Sequence, residues 1–164
     1  KGSAAADIEQ FAGTLYFMGL PSTAVIEILG GNYYHGISAA ETALASVLRC
    51  GQRANVTVHD DSTATTIYNS GALVVRGTST TITQYSGTTV CWKNPTNIDV
   101  LGGYAALNGS ENMTAVSAGP GYLDLSQAME TFTITTWTPR AGVQVIDPNR
   151  RVLGTFGTPT INYN

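Results

Sequence analysis

The chain is short of charge. Asp, Glu, Lys and Arg make up 12% of its 164 residues, about half the share of an ordinary soluble domain. Lysine is almost missing, with only Lys1 and Lys93. The net charge is −3, and the nearest approach to a basic stripe is Arg150-Arg151. Phosphate binding needs such a stripe, so nucleic acid is excluded as a partner. There is no apolar run long enough to span a membrane, and no signal peptide is visible. The start at Lys1 rather than Met points to a mature or trimmed chain. Hydrophobic content is ordinary at 43%, so Thr, Ser, Gly and Asn replace the missing charge. A surface of hydroxyls and amides lacks the repulsion that keeps copies apart, and suits an extracellular, self-associating protein.

Cysteine and histidine are equally scarce, at two each. None stands at the C-x₂-C or H-x₃-H spacing of a zinc site, and Asp60-Asp61 lacks the D-x-D-x-D-G pattern of a calcium loop. Glu111, Asp124 and Glu130 do not select a carboxylate pair for glycoside hydrolysis. Gly102-Gly103 and Gly119-Pro120-Gly121 do not form a phosphate loop. No metal, cofactor or catalytic residue is therefore assigned. The expected chemistry of Cys50 and Cys91 is a disulfide, because two cysteines in a Thr-rich, weakly charged chain lean towards an oxidising compartment. The pair is 41 residues apart, which corresponds to a stabilisation of roughly 4 kcal/mol in the chain-entropy picture.

What is present divides into two parts. Ile8, Phe11, Leu15 and Met18 recur at helical spacing and predict a helix over about 3–18, stopped by Gly19 and Pro21. Residues 22–29 read as a short helix, and 30–36 as a loop carrying Tyr33, Tyr34 and His35. A capping box at Ser38-Ala39-Ala40-Glu41, with Leu44, Val47 and Leu48 behind it and Gly51 at the end, predicts a second helix over 38–49. From Arg53 the period changes to two. Short runs at 56–58, 65–68, 72–76, 80–85, 88–92, 98–101, 104–107 and 131–138 alternate with Gly, Asn and Ser turns. Val143–Ile146 and Val152–Phe156 flank Asp147-Pro148-Asn149 as a hairpin. Residues 108–121 read as the least structured stretch. No internal repeat or linker is evident. The expected fold is α+β: one domain, 1–164, with a helical part, 1–51, on a mainly antiparallel sheet or sandwich formed by residues 53–164.

For function, three readings follow. The first is a secreted or surface-exposed assembly subunit of a pilus, fibre or virion surface, partnered by copies of itself or related subunits. The order of helices, meander sheet and disulfide is similar in outline to soluble pilin domains. It departs from them in lacking the hydrophobic N-terminal helix and in tying a helix end to the sheet. The second is a module that binds a host glycan or protein through Tyr33, Tyr34 and His35 or through the loop at 108–121, since exposed aromatics serve such contacts. The third is a small hydrolase with His59 or His35 as base, although Asp60-Asp61-Ser62 beside His59 reads better as a turn. Sequons stand at Asn55, Asn108 and Asn112, the latter two in the expected loop.

Overall fold

The computed structural model describes residues 7–18, 25–38 and 42–153. Within them the chain runs through β1 (Ile8–Gln10), β2 (Thr14–Phe17), β3 (Val25–His35), β4 (Leu44–Val58), β5 (Thr63–Asn69), β6 (Ala72–Val75), β7 (Thr81–Gln84) and β8 (Thr88–Cys91). It continues through β9 (Asn97–Val100), β10 (Tyr104–Leu107), β11 (Met113–Ala118), β12 (Gly121–Asp124), β13 (Phe132–Pro139), β14 (Val143–Ile146) and β15 (Val152–Leu153). Every pairing between them is parallel. Odd-numbered strands stack on odd, and even on even, with the long β3 and β4 crossing from one stack to the other. The fold is therefore a β-solenoid of about seven turns. Face 1 is built by β1, the first parts of β3 and β4, and β5, β7, β9, β11, β13 and β15. Face 2 is built by β2, the second parts of β3 and β4, and β6, β8, β10, β12 and β14.

The two-residue period explains why each strand has a buried and an outward edge. Coil stacking then places like on like. Ile26, Leu48, Ile67, Ile82, Ile98 and Val116 form one vertical column inside face 1. Tyr33, Val56, Leu73, Thr89, Ala105, Leu123 and Val145 form its counterpart inside face 2. All of these are buried. Burial of each large aliphatic side chain contributes about 1.5–3 kcal/mol.

The corner from face 1 to face 2 is set by glycine. Gly13, Gly31, Gly87, Gly103, Gly121 and Gly142 all have positive φ and lie just before or at the start of a face 2 strand. At Gly87 a Cβ would lie 2.1 Å from the carbonyl oxygen of Gly71 in the coil below, and at Gly103 it would lie 2.3 Å from that of Gly87. Those carbonyls accept the N–H groups of Thr88 and Tyr104 at 2.8 and 3.0 Å. The backbones approach too closely for any side chain. Buried amides finish the corner: Gln84 Nε2 donates to the carbonyls of Gly87, Gly102 and Tyr104 at 3.2, 3.1 and 2.9 Å. Asn69 Nδ2 reaches the Thr88 carbonyl at 3.1 Å and the Thr89 hydroxyl at 2.9 Å, while its Oδ1 accepts from Gly71 N–H at 3.0 Å.

This architecture corrects the α+β expectation. The described parts of the segments assigned to helices at 3–18 and 38–49 hold the strands β1 and β2, with a bend between them, and the start of β4, and residues 39–41 of the capping box lie outside the described residues. The helical spacing has a specific origin. The inward phase slips between Ala45 and Leu48, as it does between Ala64 and Ile67 and between Met113 and Val116, within strands that are otherwise continuous. A strand with such a slip buries positions three apart, as a helix does. At the N-terminus, Phe11 and Met18 are exposed while Ile8 and Leu15 pack on the core. The β runs were placed well but paired wrongly: a parallel stack replaces the antiparallel meander. In the expected hairpin, β15 pairs with β13, not β14. The stretch at 108–121 holds β11. The pilin outline lapses with the helices.

Cys50 and Cys91 are free thiols, both buried. Cys50 belongs to face 1, in register with Asn69, which is in register with Gln84. Cys91 lies on face 2 in the same coil as Gln84, two coils along the axis. At about 4.8 Å per coil they are separated by roughly 10 Å along the axis alone, beyond the reach of a disulfide. Burial raises both thiols, Cys91 to about 12.

Candidate interaction surfaces

Tyr33, Tyr34 and His35 lie in strand β3, not in a loop, and alternate in, out, in. Tyr33 and His35 are core residues with no exposed surface. His35 Nε2 donates to the Thr63 carbonyl at 3.0 Å, which leaves Nδ1 to accept from the Tyr33 hydroxyl at 2.9 Å. Burial lowers the His35 pKa, and the imidazole is neutral. Only Tyr34 faces outward, stacked on Tyr16 of the preceding coil at 4.8 Å and 11°. The three are not a ligand site. His59 sits in a turn in which its carbonyl accepts from Ser62 N–H at 2.9 Å. Among the described residues no group of three or more His, Cys, Asp and Glu side chains converges.

The sequons fare differently from one another. Asn108 is buried. Asn112 is exposed but accepts from Thr133 N–H at 2.8 Å. Asn55 faces outward on face 2, donating to Asn32 Oδ1 at 3.2 Å.

The two faces differ in charge. Face 1 strands carry Glu9, Glu27, Arg49 and Asp99. The eight stacked segments of face 2 carry Asp124, and Arg53 stands exposed in the corner stretch of β4 that leads into them. The Asp124 carboxylate is satisfied locally, accepting from the Tyr104 hydroxyl and from Ser126 N–H. Although its partial burial acts the other way, these donors hold Asp124 below the usual carboxylate range. The outward columns of face 2 are Asn32, Asn55, Ala72, Thr88, Tyr104 and Tyr122, and beside them Tyr34, Thr57, Val74, Val90 and Ala106. They form a ladder of small and aromatic side chains with no charge along its middle. Trp92 flanks it, exposed, with the Arg76 guanidinium 5.9 Å from its ring.

A second surface lies at the glycine corner. The residue following each face 1 strand points out there, and Phe11, Leu29, Tyr85 and Leu101 make an exposed apolar ridge. Gly51 and Ser70 interrupt it. The resulting notch encloses about 190 Å³ and is also lined by Glu27, Arg49 and Tyr68. It coincides with a register shift between Ile28 and Gly30 against β4, a bulge that re-aims side chains. Sequence reasoning could not bring these residues together, since their convergence depends on coil phase.

Against that geometry, comparison of the chain with protein-family models, with characterised proteins and with solved structures returns no match.

Proposed function

We propose that the chain is a structural subunit of an extracellular or surface-exposed fibre, which packs face 2 against face 2 of a second copy. One observation carries this reading: the outward ladder of face 2 has no charge along its middle, with Asp124 satisfied locally and Arg53 set at the corner end, whereas face 1 strands carry four charges. Like-charged surfaces repel, and a face without charge has nothing to repel its own copy. Its ladder of Val, Thr, Ala and Tyr is regular in both directions, so it meshes with itself as the inner faces of a β-sandwich do. Seven coil steps of about 4.8 Å and four residues of about 3.3 Å give a patch of roughly 450 Å² per copy. Two copies would bury roughly 900 Å², just below the smallest specific interfaces at about 1,200 Å². The association is therefore weak and concentration-dependent, as suits a subunit held in an array by many contacts.

Sedimentation velocity from micromolar to millimolar protein tests the reading. The wild type should associate reversibly, Val74→Lys/Val90→Lys should stay monomeric, and Thr83→Lys on face 1 should associate like the wild type. A wild type that remains monomeric throughout, or a face 1 variant that disrupts association equally, would remove the proposal.

A further inference from the structure

The notch at Gly51 and Ser70 combines features that no packing requirement explains. Arg49, Tyr68 and Tyr85 form a continuous stack, with the guanidinium 4.9 Å from the Tyr68 ring centroid and the two rings 6.4 Å apart at 19°. The stack occupies the face of the guanidinium and leaves its N–H edge free, since the Arg49 side chain makes no hydrogen bond or ion pair among the described residues. Glu27 is the register neighbour of Arg49, and it too is without such a partner there. Tyr85 is 51% exposed. Leu29 and Tyr85 close the two ends of the notch, and Gly51 keeps its floor open, because a Cβ there would come within 3.1 Å of the Leu29 backbone.

We infer that this notch is a saccharide-binding site that takes one ring of a neutral glycan. The chemistry selects that class. A pyranose presents an apolar C–H face and a rim of hydroxyls that both donate and accept. The apolar ends formed by Leu29 and Tyr85 match the first. Arg49 supplies donors and Glu27 supplies acceptors for the second. The two formal charges cancel, so neither an anion nor a cation is preferred. The volume of about 190 Å³ equals that of about six waters, smaller than a drug-sized pocket. It holds one ring and lets the chain extend into solvent. The site lies on the corner away from the middle of face 2, so it stays open in the proposed assembly and stands or falls independently of it.

Amide-resolved NMR titration with glucose, galactose, mannose and N-acetylglucosamine is the test. At least one of the four should produce saturable shifts at Gly51 and Ser70. Tyr85→Ala and Arg49→Ala should each weaken that binding by about tenfold or more, a loss of at least 1.4 kcal/mol, with unchanged thermal unfolding. Met129→Ala, an exposed residue outside both the notch and face 2, should bind as the wild type does. Absence of saturable shifts with all four sugars overturns the inference. So does a sugar response that persists in both notch variants, or one that spreads equally over the Met129 region.

Discussion

The closest contact in the corner ladder gives the sharpest test of the fold. Gly13, Gly87 and Gly142 share nearly the same backbone, with φ of +82, +73 and +83. They differ in what lies beneath. A Cβ on Gly13 meets nothing within 4 Å, and one on Gly142 comes no closer than 3.4 Å to Pro120 Cα, whereas one on Gly87 lies 2.1 Å from Gly71 O. Placing alanine in the left-handed region costs about 1–2 kcal/mol at any of the three. At Gly87 the overlapping atom is a carbonyl held by its bond from Thr88 N–H at 2.8 Å. Relief requires the two coils to part by about 1 Å, which adds about 2–3 kcal/mol in the manner of an overpacked core. Gly87→Ala should thus cost about 3–5 kcal/mol and Gly13→Ala and Gly142→Ala about 1–2 each. Equilibrium urea unfolding followed by circular dichroism measures the totals. Stacked coils need not melt in one step, so amide hydrogen exchange should accompany it. Faster exchange at Thr88 and Tyr104 is expected in Gly87→Ala only. Equal losses in the three variants would refute the stacked-corner account.

Further expectations concern the polar interior. Asn69→Ala leaves Gly71 N–H without its acceptor and Thr89 and the Thr88 carbonyl without a donor, and should cost about 3 kcal/mol in the same urea assay; a loss under 1 kcal/mol would mean that water replaces the amide. Native Cys50 and Cys91 should resist a thiol-modifying reagent until the chain unfolds, and a reductant should leave the melting temperature unchanged. Burial raises the Cys91 pKa from 9.0 to about 12, so its contribution to stability is complete below pH 9 and is lost as pH rises towards 12; Cys91→Val should flatten that alkaline decline. His35 behaves oppositely. Its pKa is lowered from 6.5, so its contribution is complete above pH 6.5 and is lost as pH falls below it, because the unfolded imidazole takes up the proton first. His35→Phe should reduce the acid sensitivity of the melting temperature, and an unchanged pH profile would show that the buried imidazole is not its source.

Much of the strand pattern was legible in the sequence, and the arrangement of the strands was not. Tyr104–Leu107 and Val143–Ile146 occur where alternation placed them. Alternation reports which edge of a strand is buried, and a meander and a solenoid bury it alike. The distinguishing sign is vertical: Ile-x-x-x-x-Gly begins successive coils at Ile82 and Ile98, and the same phase recurs at Ile8 and Ile26. The spacing of these coils hides the repeat. Fifteen residues separate Ile67 from Ile82, eighteen separate Ile98 from Val116, and twenty-one separate Val116 from Trp137. The variation falls mainly in the turns between face 2 and face 1, where the backbone bonds through side chains, as Asn94 does to Glu111 and Gly109, rather than through a fixed ladder.

The same phase decides what could be known of function. Low overall charge was visible at once, and it pointed to self-association, but composition cannot say which surface is bare. Assigning each residue to its coil shows an uneven distribution of charge: Glu9, Glu27, Arg49 and Asp99 fall on face 1, Asp124 alone falls within the face 2 ladder, and the others, among them Arg53, Asp60, Asp61, Arg76, Lys93, Glu111 and Glu130, fall at corners and in turns. That distribution is not required for folding, since outward positions on either face tolerate charge equally. Parallel stacking also constrains it, because identical positions in successive coils lie about 4.8 Å apart and like charges there repel. Face 1 handles this by placing Arg49 above Glu27 and by pairing Asp99 with Arg140 at 2.7 Å. Face 2 avoids the problem by carrying almost no charge, and a surface freed of charge on one side only is the physical basis for assigning that side to a neighbour.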